Sequence, residues 1–185
     1  AGTSHFLGQN FAKGSDIKFT NEAGEIQFAY TTSWGVSTRL IGGVIMTHAD
    51  DDGLRLPPRV APKHVVILPV LPKPESEAQV LAFCEEVASQ LRKLSYAGDP
   101  VVVHIDRRDM RGGDKMWQWI KKGIPLRIEI GPRDVEKRSV VITRRDRPHK
   151  EKAFVGVDAV AETVLGLLGE IQQSYFSAAL KLREE

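Results

Sequence analysis

Apolar and polar residues alternate in Ile17-Lys18-Phe19 and in Ile26-Gln27-Phe28-Ala29-Tyr30, and Asn21-Glu22-Ala23-Gly24 between them suits a turn. The pattern predicts an antiparallel hairpin with irregular backbone before it. After Arg39 the pattern changes: Leu40-Ile41-Gly42-Gly43-Val44-Ile45-Met46 is continuous, apolar and uncharged. Such a run predicts a helix buried on most sides. His48-Ala49-Asp50-Asp51-Asp52-Gly53 ends it, and Pro57-Pro58 with Pro62 forms a stiff connector, a natural domain boundary.

From residue 63 the two periods take turns. His64-Val65-Val66-Ile67-Leu68-Pro69-Val70 is a short apolar run bounded by prolines, a buried strand. Residues 75–94 carry Val80, Leu81, Cys84, Val87, Ala88, Leu91 and Leu94 at three- and four-residue spacing, a helix. Strands are predicted at 101–105, 126–130 and 140–143, a short helix at 115–122 ending at Gly123, and a long closing helix at 157–182. Strand, helix, strand, helix, strand, strand, helix makes an α/β layer with a mixed β-sheet and flanking helices.

Composition narrows the classes. The 185 residues are 42% apolar, as in a globular chain, and no apolar run reaches membrane-spanning length. The start shows no charged-then-apolar signal peptide. A single cysteine, Cys84, rules out an internal disulfide and a cysteine-rich zinc site, and its helical setting predicts a buried reduced thiol. These features point to the cytosol. The net charge of +2 hides an asymmetry: residues 103–152 hold 15 Lys+Arg against 8 Asp+Glu, or +7, which leaves −5 for the remainder. A basic segment in a near-neutral chain suits a polyanion-binding face, with a merely solvated surface as the alternative.

Two short features invite chemistry. An arginine at the start of an apolar helix needs an anion, either a protein carboxylate or a phosphate favoured by the helix dipole. Asp50-Asp51-Asp52 invites a magnesium reading, but consecutive side chains diverge, and a polar turn with Gly53 in a left-handed conformation is the reading adopted.

Three segments together resemble one family. Ser33-Trp34-Gly35-Val36-Ser37-Thr38-Arg39, with the linker through Pro57-Pro58-Arg59-Val60-Ala61-Pro62, resembles motif 3 of prolyl-tRNA synthetases of the archaeal and eukaryotic type, which are class II enzymes. Thr3-Ser4-His5-Phe6-Leu7-Gly8-Gln9-Asn10-Phe11 is similar to their TSHxLGxNF segment. Gly131-Pro132-Arg133-Asp134 is similar to the GPRD of their anticodon-binding domain. The resemblance covers nearly the whole chain. It implies that residues 1–62 are a slice of a catalytic domain, a partial antiparallel sheet, and that 63–185 form an anticodon-binding domain. It also implies a proline–tRNA ligase that activates proline with ATP and Mg²⁺, transfers it to tRNA(Pro), and works as a homodimer without a membrane.

In that reading Arg39 holds the γ-phosphate of a bent ATP, Thr3 and Ser37 contact nucleotide, and His5, Ser33 and Trp34 line the proline pocket, while Gln9 is unassigned. From the residues alone, Trp34 also suits core packing and His5 a structural role. Adenylate formation needs no protein nucleophile, only positioning and charge absorption, for which arginine's fork is suited. Proline anticodons share two guanines, read by a cation at O6/N7 and a carboxylate at N1/N2. Arg107, Arg127, Arg133 and Asp134 are the residues assigned to the anticodon. Trp117 and Trp119 lie two apart and face different ways on a helix, so at most one stacks on RNA. One position departs from the family: many relatives read WELKG with a base-contacting glutamate, where this chain has Ile120.

Motifs 1 and 2 and a C-terminal zinc-containing domain of the family do not occur in the sequence, so the chain alone is expected to be inactive and its first 60 residues poorly stable. No zinc is expected in this segment. The competing readings are a non-enzymatic RNA-binding module derived from a synthetase, and a synthetase of the same subclass charging another amino acid.

Overall fold

A computed structural model describes residues 2–71 and 74–184. It divides into two units, residues 1–47 and 48–185.

The first unit is built on a two-stranded antiparallel sheet of β1 (Gly2–Gly8) and β4 (Thr31–Val36). Between them lie α1 (Asn10–Gly14) and the hairpin of β2 (Lys18–Thr20) and β3 (Ile26–Phe28). The hairpin is the predicted one, and its turn is tied by Asn21 Oδ1, which accepts from the Ala23 and Glu25 N–H groups. Residues 2–14, expected to be irregular, instead form a strand and a short helix. Thr31–Val36 supplies the strand partner that the local pattern before Asn10 could not reveal.

Helix α2 (Arg39–Thr47) forms where the apolar run predicts it. The expected burial does not follow: no α2 residue is buried, and Ile41 and Met46 are 64% and 88% exposed. The physical reason is that Ala12 is the single buried apolar side chain among the described residues of this unit, so no layer covers the helix.

The second unit opens with the small hairpin β5 (Ala49–Asp50) and β6 (Gly53–Leu54). Gly53 has the positive φ expected of it, +124°, and a Cβ there would meet Lys121 backbone atoms at 2.6 Å. Gly123, at φ +72°, meets the Leu54 backbone as closely, and Leu56 N–H donates to the Gly123 carbonyl at 3.1 Å. Two glycines thus let residues 53–56 lie against the end of a neighbouring helix.

Besides the small hairpin of β8 (Ser95–Tyr96) and β9 (Asp99–Pro100), this unit holds the central sheet, in the order β10 (Val103–Ile105), β7 (Val65–Pro69), β11 (Leu126–Ile130), β12 (Ser139–Arg144), β13 (Ala153–Gly156). The first three are parallel and the last two antiparallel, the predicted mixed sheet. Helices α3 (Glu77–Leu91) and α6 (Val160–Glu184) cover one face, over Val65, Ile67, Leu126, Ile128, Val140 and Ile142. On the other face α4 (Gly112–Lys121) brings Trp119 onto Val66 and Leu68. That helix starts three residues before the predicted Lys115. Around this sheet, α5 (Pro132–Glu136) and β13 are among the elements not predicted. No described helix is long and apolar enough to cross a membrane.

Cys84 is buried within α3, and desolvation pushes its thiol up to about 12, an inert group at neutral pH. His64 is buried at the start of β7, where its Nδ1 accepts the Val102 N–H at 2.9 Å, and desolvation holds its pKa below the ordinary value. The unfolded chain therefore takes up a proton that the folded chain resists, and stability contributed at neutral pH declines as pH falls below about 6.5. His104 is shifted the same way, by burial first. His64→Asn, which keeps an acceptor near Nδ1, is expected to flatten part of the fall in urea-melt stability between pH 7 and pH 5. Parallel pH profiles for variant and wild type would exclude this role.

Candidate nucleic-acid interface

The residues assigned to small substrates all lie in the first unit. Register places Thr3 opposite Gly35 and His5 opposite Ser33, so Thr3, His5 and Ser33 share one face of the two-stranded sheet. Trp34 lies opposite Ser4 on the other face, 80% exposed and apart from His5 and Ser33. Strand alternation therefore does not gather the three proline-pocket candidates into one wall. Ser37 sits just before α2, and its Oγ accepts the Arg39 N–H at 3.3 Å. The Arg39 side chain is exposed at the first position of the helix, and no carboxylate among the described residues pairs with it. Gln9, left unassigned above, donates from Nε2 to the Phe28 carbonyl at 2.8 Å, a structural bond.

The basic segment folds into the second unit around a buried acid. Asp106 follows β10 directly and is fully buried. Its carboxylate accepts from Arg108 Nε at 2.9 Å, Arg108 Nη2 at 2.7 Å and Trp119 Nε1 at 2.8 Å, while buried Lys115 donates to its carbonyl at 3.3 Å. The Arg108 guanidinium, more than offsetting burial, holds the carboxyl far below the usual range. Trp119 is thus the structural tryptophan, 5% exposed, whereas Trp117 is 38% exposed with its ring 5.7 Å from His149. Arg107, assigned above to the anticodon, is exposed and pairs with Glu85 of α3.

Arg127 is the surprise in the segment. Alternation along β11 sends it to the α4 side of the sheet, yet it is only 1% exposed. Its Nε and Nη1 have no hydrogen-bond partner. Burial first, then the nearby Arg145 charge, pushes its pKa down to about 10, with Glu129 opposing. It stays charged at neutral pH. Arg127 lines a cleft of about 240 Å³ together with Ile120, Asp50, Arg55, Arg145 and His149. Two neighbouring arginines are already engaged: Arg145 forks onto Asp50 at 2.5 and 2.9 Å, and Arg144 onto Asp146 at 2.8 and 2.9 Å. Asp50 thereby serves a salt bridge rather than an ion, and no group of three metal-ligating side chains occurs among the described residues. An uncompensated buried guanidinium beside an open cleft is costly unless a ligand supplies acceptors.

Arg133 and Asp134 open α5, the short helix hidden in the Gly131-Pro132-Arg133-Asp134 motif. Asp134 Oδ2 accepts the Gly131 N–H at 2.8 Å, so part of its carboxylate is spent on capping, while Arg133 is exposed. Both line a hollow of about 750 Å³ with Glu129 and Val141. Two features here escaped the sequence reading. The hub role of Asp106 was signalled only by an acid directly after a buried strand, and the exposed Phe154 on β13 had no preceding pattern to mark it.

Comparison with known proteins agrees with this architecture. The family model described as "Anticodon binding domain" matches residues 64–167. The chain is 54% identical over 183 residues to a proline–tRNA ligase of Protochlamydia amoebophila, covering 99% of this chain and 36% of that protein. It is 54% identical over 185 residues to the proline–tRNA ligase of Bdellovibrio bacteriovorus, covering 100% of this chain and 37% of that protein. A crystal structure of prolyl-tRNA synthetase from Cryptosporidium parvum, complexed with L-proline and AMP, superposes with a TM-score of 0.74 at 42% identity, over 100% of this chain and 38% of that one. The chain thus spans little more than a third of the length of these relatives. A matched domain over more than half of the residues means that the chain belongs to the anticodon-binding-domain family, and along its whole length it is similar to part of the proline–tRNA ligases.

Proposed function

We propose that the chain is part of a proline–tRNA ligase, contributing motif 3 of the ATP site from residues 1–62 and anticodon recognition from residues 63–185. In this reading the whole protein activates proline with ATP and Mg²⁺ and passes it to tRNA(Pro). It works in the cytoplasm as a homodimer. Thr3, Ser37 and Arg39 contact the nucleotide; His5, Ser33 and Trp34 form the proline pocket, with Trp34 approaching from a different side than the other two. Arg107, Arg127, Arg133 and Asp134 meet the anticodon.

The observation that carries the tRNA side is the buried, unpartnered Arg127 guanidinium at the cleft. A guanine edge presents two adjacent acceptors, O6 and N7, which match an arginine fork. Ile120, 2% exposed in the same cleft, offers no carboxylate for guanine N1 and N2, so the cation carries the discrimination there. The exposed Arg133 and the net +7 of residues 103–152 supply the sequence-independent attraction to phosphate.

The test is binding of tRNA(Pro) by the full-length protein. Replacing either anticodon guanine should cost about 1–3 kcal/mol, and affinity should fall steeply with salt. Arg127→Ala should remove the preference at one of the two positions. Equal affinity for tRNA with and without both guanines would reject anticodon reading and favour a general RNA binder.

A further inference from the structure

The cleft that holds Arg127 also carries a free carboxylate, and that acid comes from outside α4. The hairpin of β5 and β6 turns at Asp51 and Asp52. Two devices fix this hairpin against the cleft. Gly53 and Gly123 let its backbone lie on the end of α4, where a Cβ at either position would stand 2.6 Å from facing backbone atoms. Buried Arg145 forks onto Asp50 and also donates from Nη2 to the Gly53 carbonyl at 3.3 Å. Asp50 Oδ1 in turn accepts the Asp52 N–H at 3.0 Å and closes the tip. Asp52 therefore has a set place in the lining of the cleft, with Ile120 and Arg127.

Most of the charge lining this cleft is cancelled within the protein. Asp50 is shared by Arg145 and by Arg55, the second at 3.7 Å, and Asp146 holds Arg144 at 2.8 Å. Of the three aspartates in the lining, Asp52 alone is exposed without a side-chain partner among the described residues. Arg127 has Nε and Nη1 buried without acceptors, and no ion pair joins it to Asp52. One cleft thus holds a buried fork short of acceptors and a carboxylate short of donors, left apart from each other. Guanine supplies what each lacks: O6 and N7 accept on one edge, and N1–H and the 2-amino group donate on the next. A carboxylate takes those two donors in parallel through its two oxygens. Adenine has an acceptor at N1, which a carboxylate repels. The volume of about 240 Å³ lies below the roughly 300–1,000 Å³ of pockets for larger ligands and suits a single base.

We propose that Asp52, from the hairpin that opens the second unit, accepts the N1 and N2 donors of the guanine whose O6 and N7 face Arg127; this rests on the anticodon-binding reading above. Arg127 discriminates at one edge of the base and Asp52 adds a contact at the other, where Ile120 of α4 has no carboxylate to give. The acid is thus restored from a segment that precedes every strand of the central sheet. Arg133 and Asp134, which line a different hollow, are left as the cation and acid for the second guanine.

The experiment measures tRNA(Pro) binding by the full-length protein, with each anticodon guanine replaced in turn by inosine, which lacks only the 2-amino group. At the position where Arg127→Ala removes the base preference, wild type should bind the inosine form about 10-fold more weakly, the low end for a hydrogen bond to a charged group. Asp52→Ala should lose that penalty with its melting temperature unchanged, yet still reject 7-deazaguanine, which lacks the N7 acceptor facing Arg127. Asp51→Ala removes the same charge from the turn but not from the lining of the cleft, and should keep the penalty. A full inosine penalty in Asp52→Ala, or none in wild type at that position, overturns the contact and leaves anticodon reading standing. An equal loss of the penalty in Asp51→Ala overturns it in favour of a diffuse charge effect, and a lowered melting temperature in Asp52→Ala in favour of a structural turn residue. Indifference of the wild-type protein to both guanines overturns the anticodon reading, and the contact with it.

Discussion

Arg39→Ala in the full-length protein is expected to lower proline-dependent ATP–pyrophosphate exchange on the order of 10³-fold or more, while leaving the melting temperature unchanged. The two halves of that expectation have separate grounds. Stability should hold because the side chain is exposed at the first turn of α2 and no carboxylate among the described residues depends on it. Removing it strands no partner. Activity should fall because a guanidinium at a helix N-terminus adds a fixed positive charge where the dipole already favours an anion. That charge is most valuable when the triphosphate rearranges and its leaving oxygens gain charge. Arg39→Lys keeps the charge but loses the planar fork, so it should recover only part of the rate. Near-normal exchange in Arg39→Ala would remove the phosphate-clamp assignment, and a lowered melting temperature would return Arg39 to the ordinary ion-pair reading.

Much of the second unit was legible before any coordinates. The apolar spacing from Val80 to Leu91 could only suit a helix, and the runs at β7 and β11 were too short and too bracketed by prolines and glycine to be anything but strands. The first unit was harder. The helix periodicity of residues 40–46 says that the side chains are apolar, but a period cannot say what covers them, and among the described residues nothing does. Element α5 was concealed by being read as a motif; Pro132 at its first position and Asp134 at its third are the capping signals that would have revealed it. Strand β13 has four residues and an exposed Phe154 where alternation would lead one to expect a polar group, so its pattern argues against itself. For the site, the sequence pattern carries residue types and not depth. Alternation puts Arg127 on the α4 side of the sheet, but the cleft around it is closed by Ile120 and Arg145, which strand alternation cannot place. Likewise Ser33 and Trp34, both assigned by resemblance to the proline pocket, are neighbours in sequence, and a strand separates neighbours onto opposite faces.

Asp106→Ala is expected to cost about 3–5 kcal/mol of stability, the largest single-site loss in the second unit. The carboxylate is the common partner of Arg108 and Trp119, and Lys115 closes on the same residue's carbonyl. Alanine leaves the Trp119 indole N–H buried without an acceptor and leaves the buried Lys115 ammonium without a nearby negative charge. Trp119 also anchors α4 on Val66 and Leu68, so the damage should reach the helix that walls the Arg127 cleft. Asp106→Asn separates the charge from the hydrogen bond: its amide oxygen can still accept from Trp119 while Arg108 returns to solvent, and the loss should be roughly half. The sign with pH follows from the depressed pKa. Folded Asp106 stays ionised where the unfolded chain takes up a proton, so its contribution is complete above about pH 4 and drains away as pH falls further. Urea melts at pH 7 and pH 3 should therefore differ less for Asp106→Asn than for wild type. If both proteins lose the same stability on acidification, the carboxylate is not the anchor of this end of the domain, and the positioning of α4 must come from the apolar contacts of Trp119 alone.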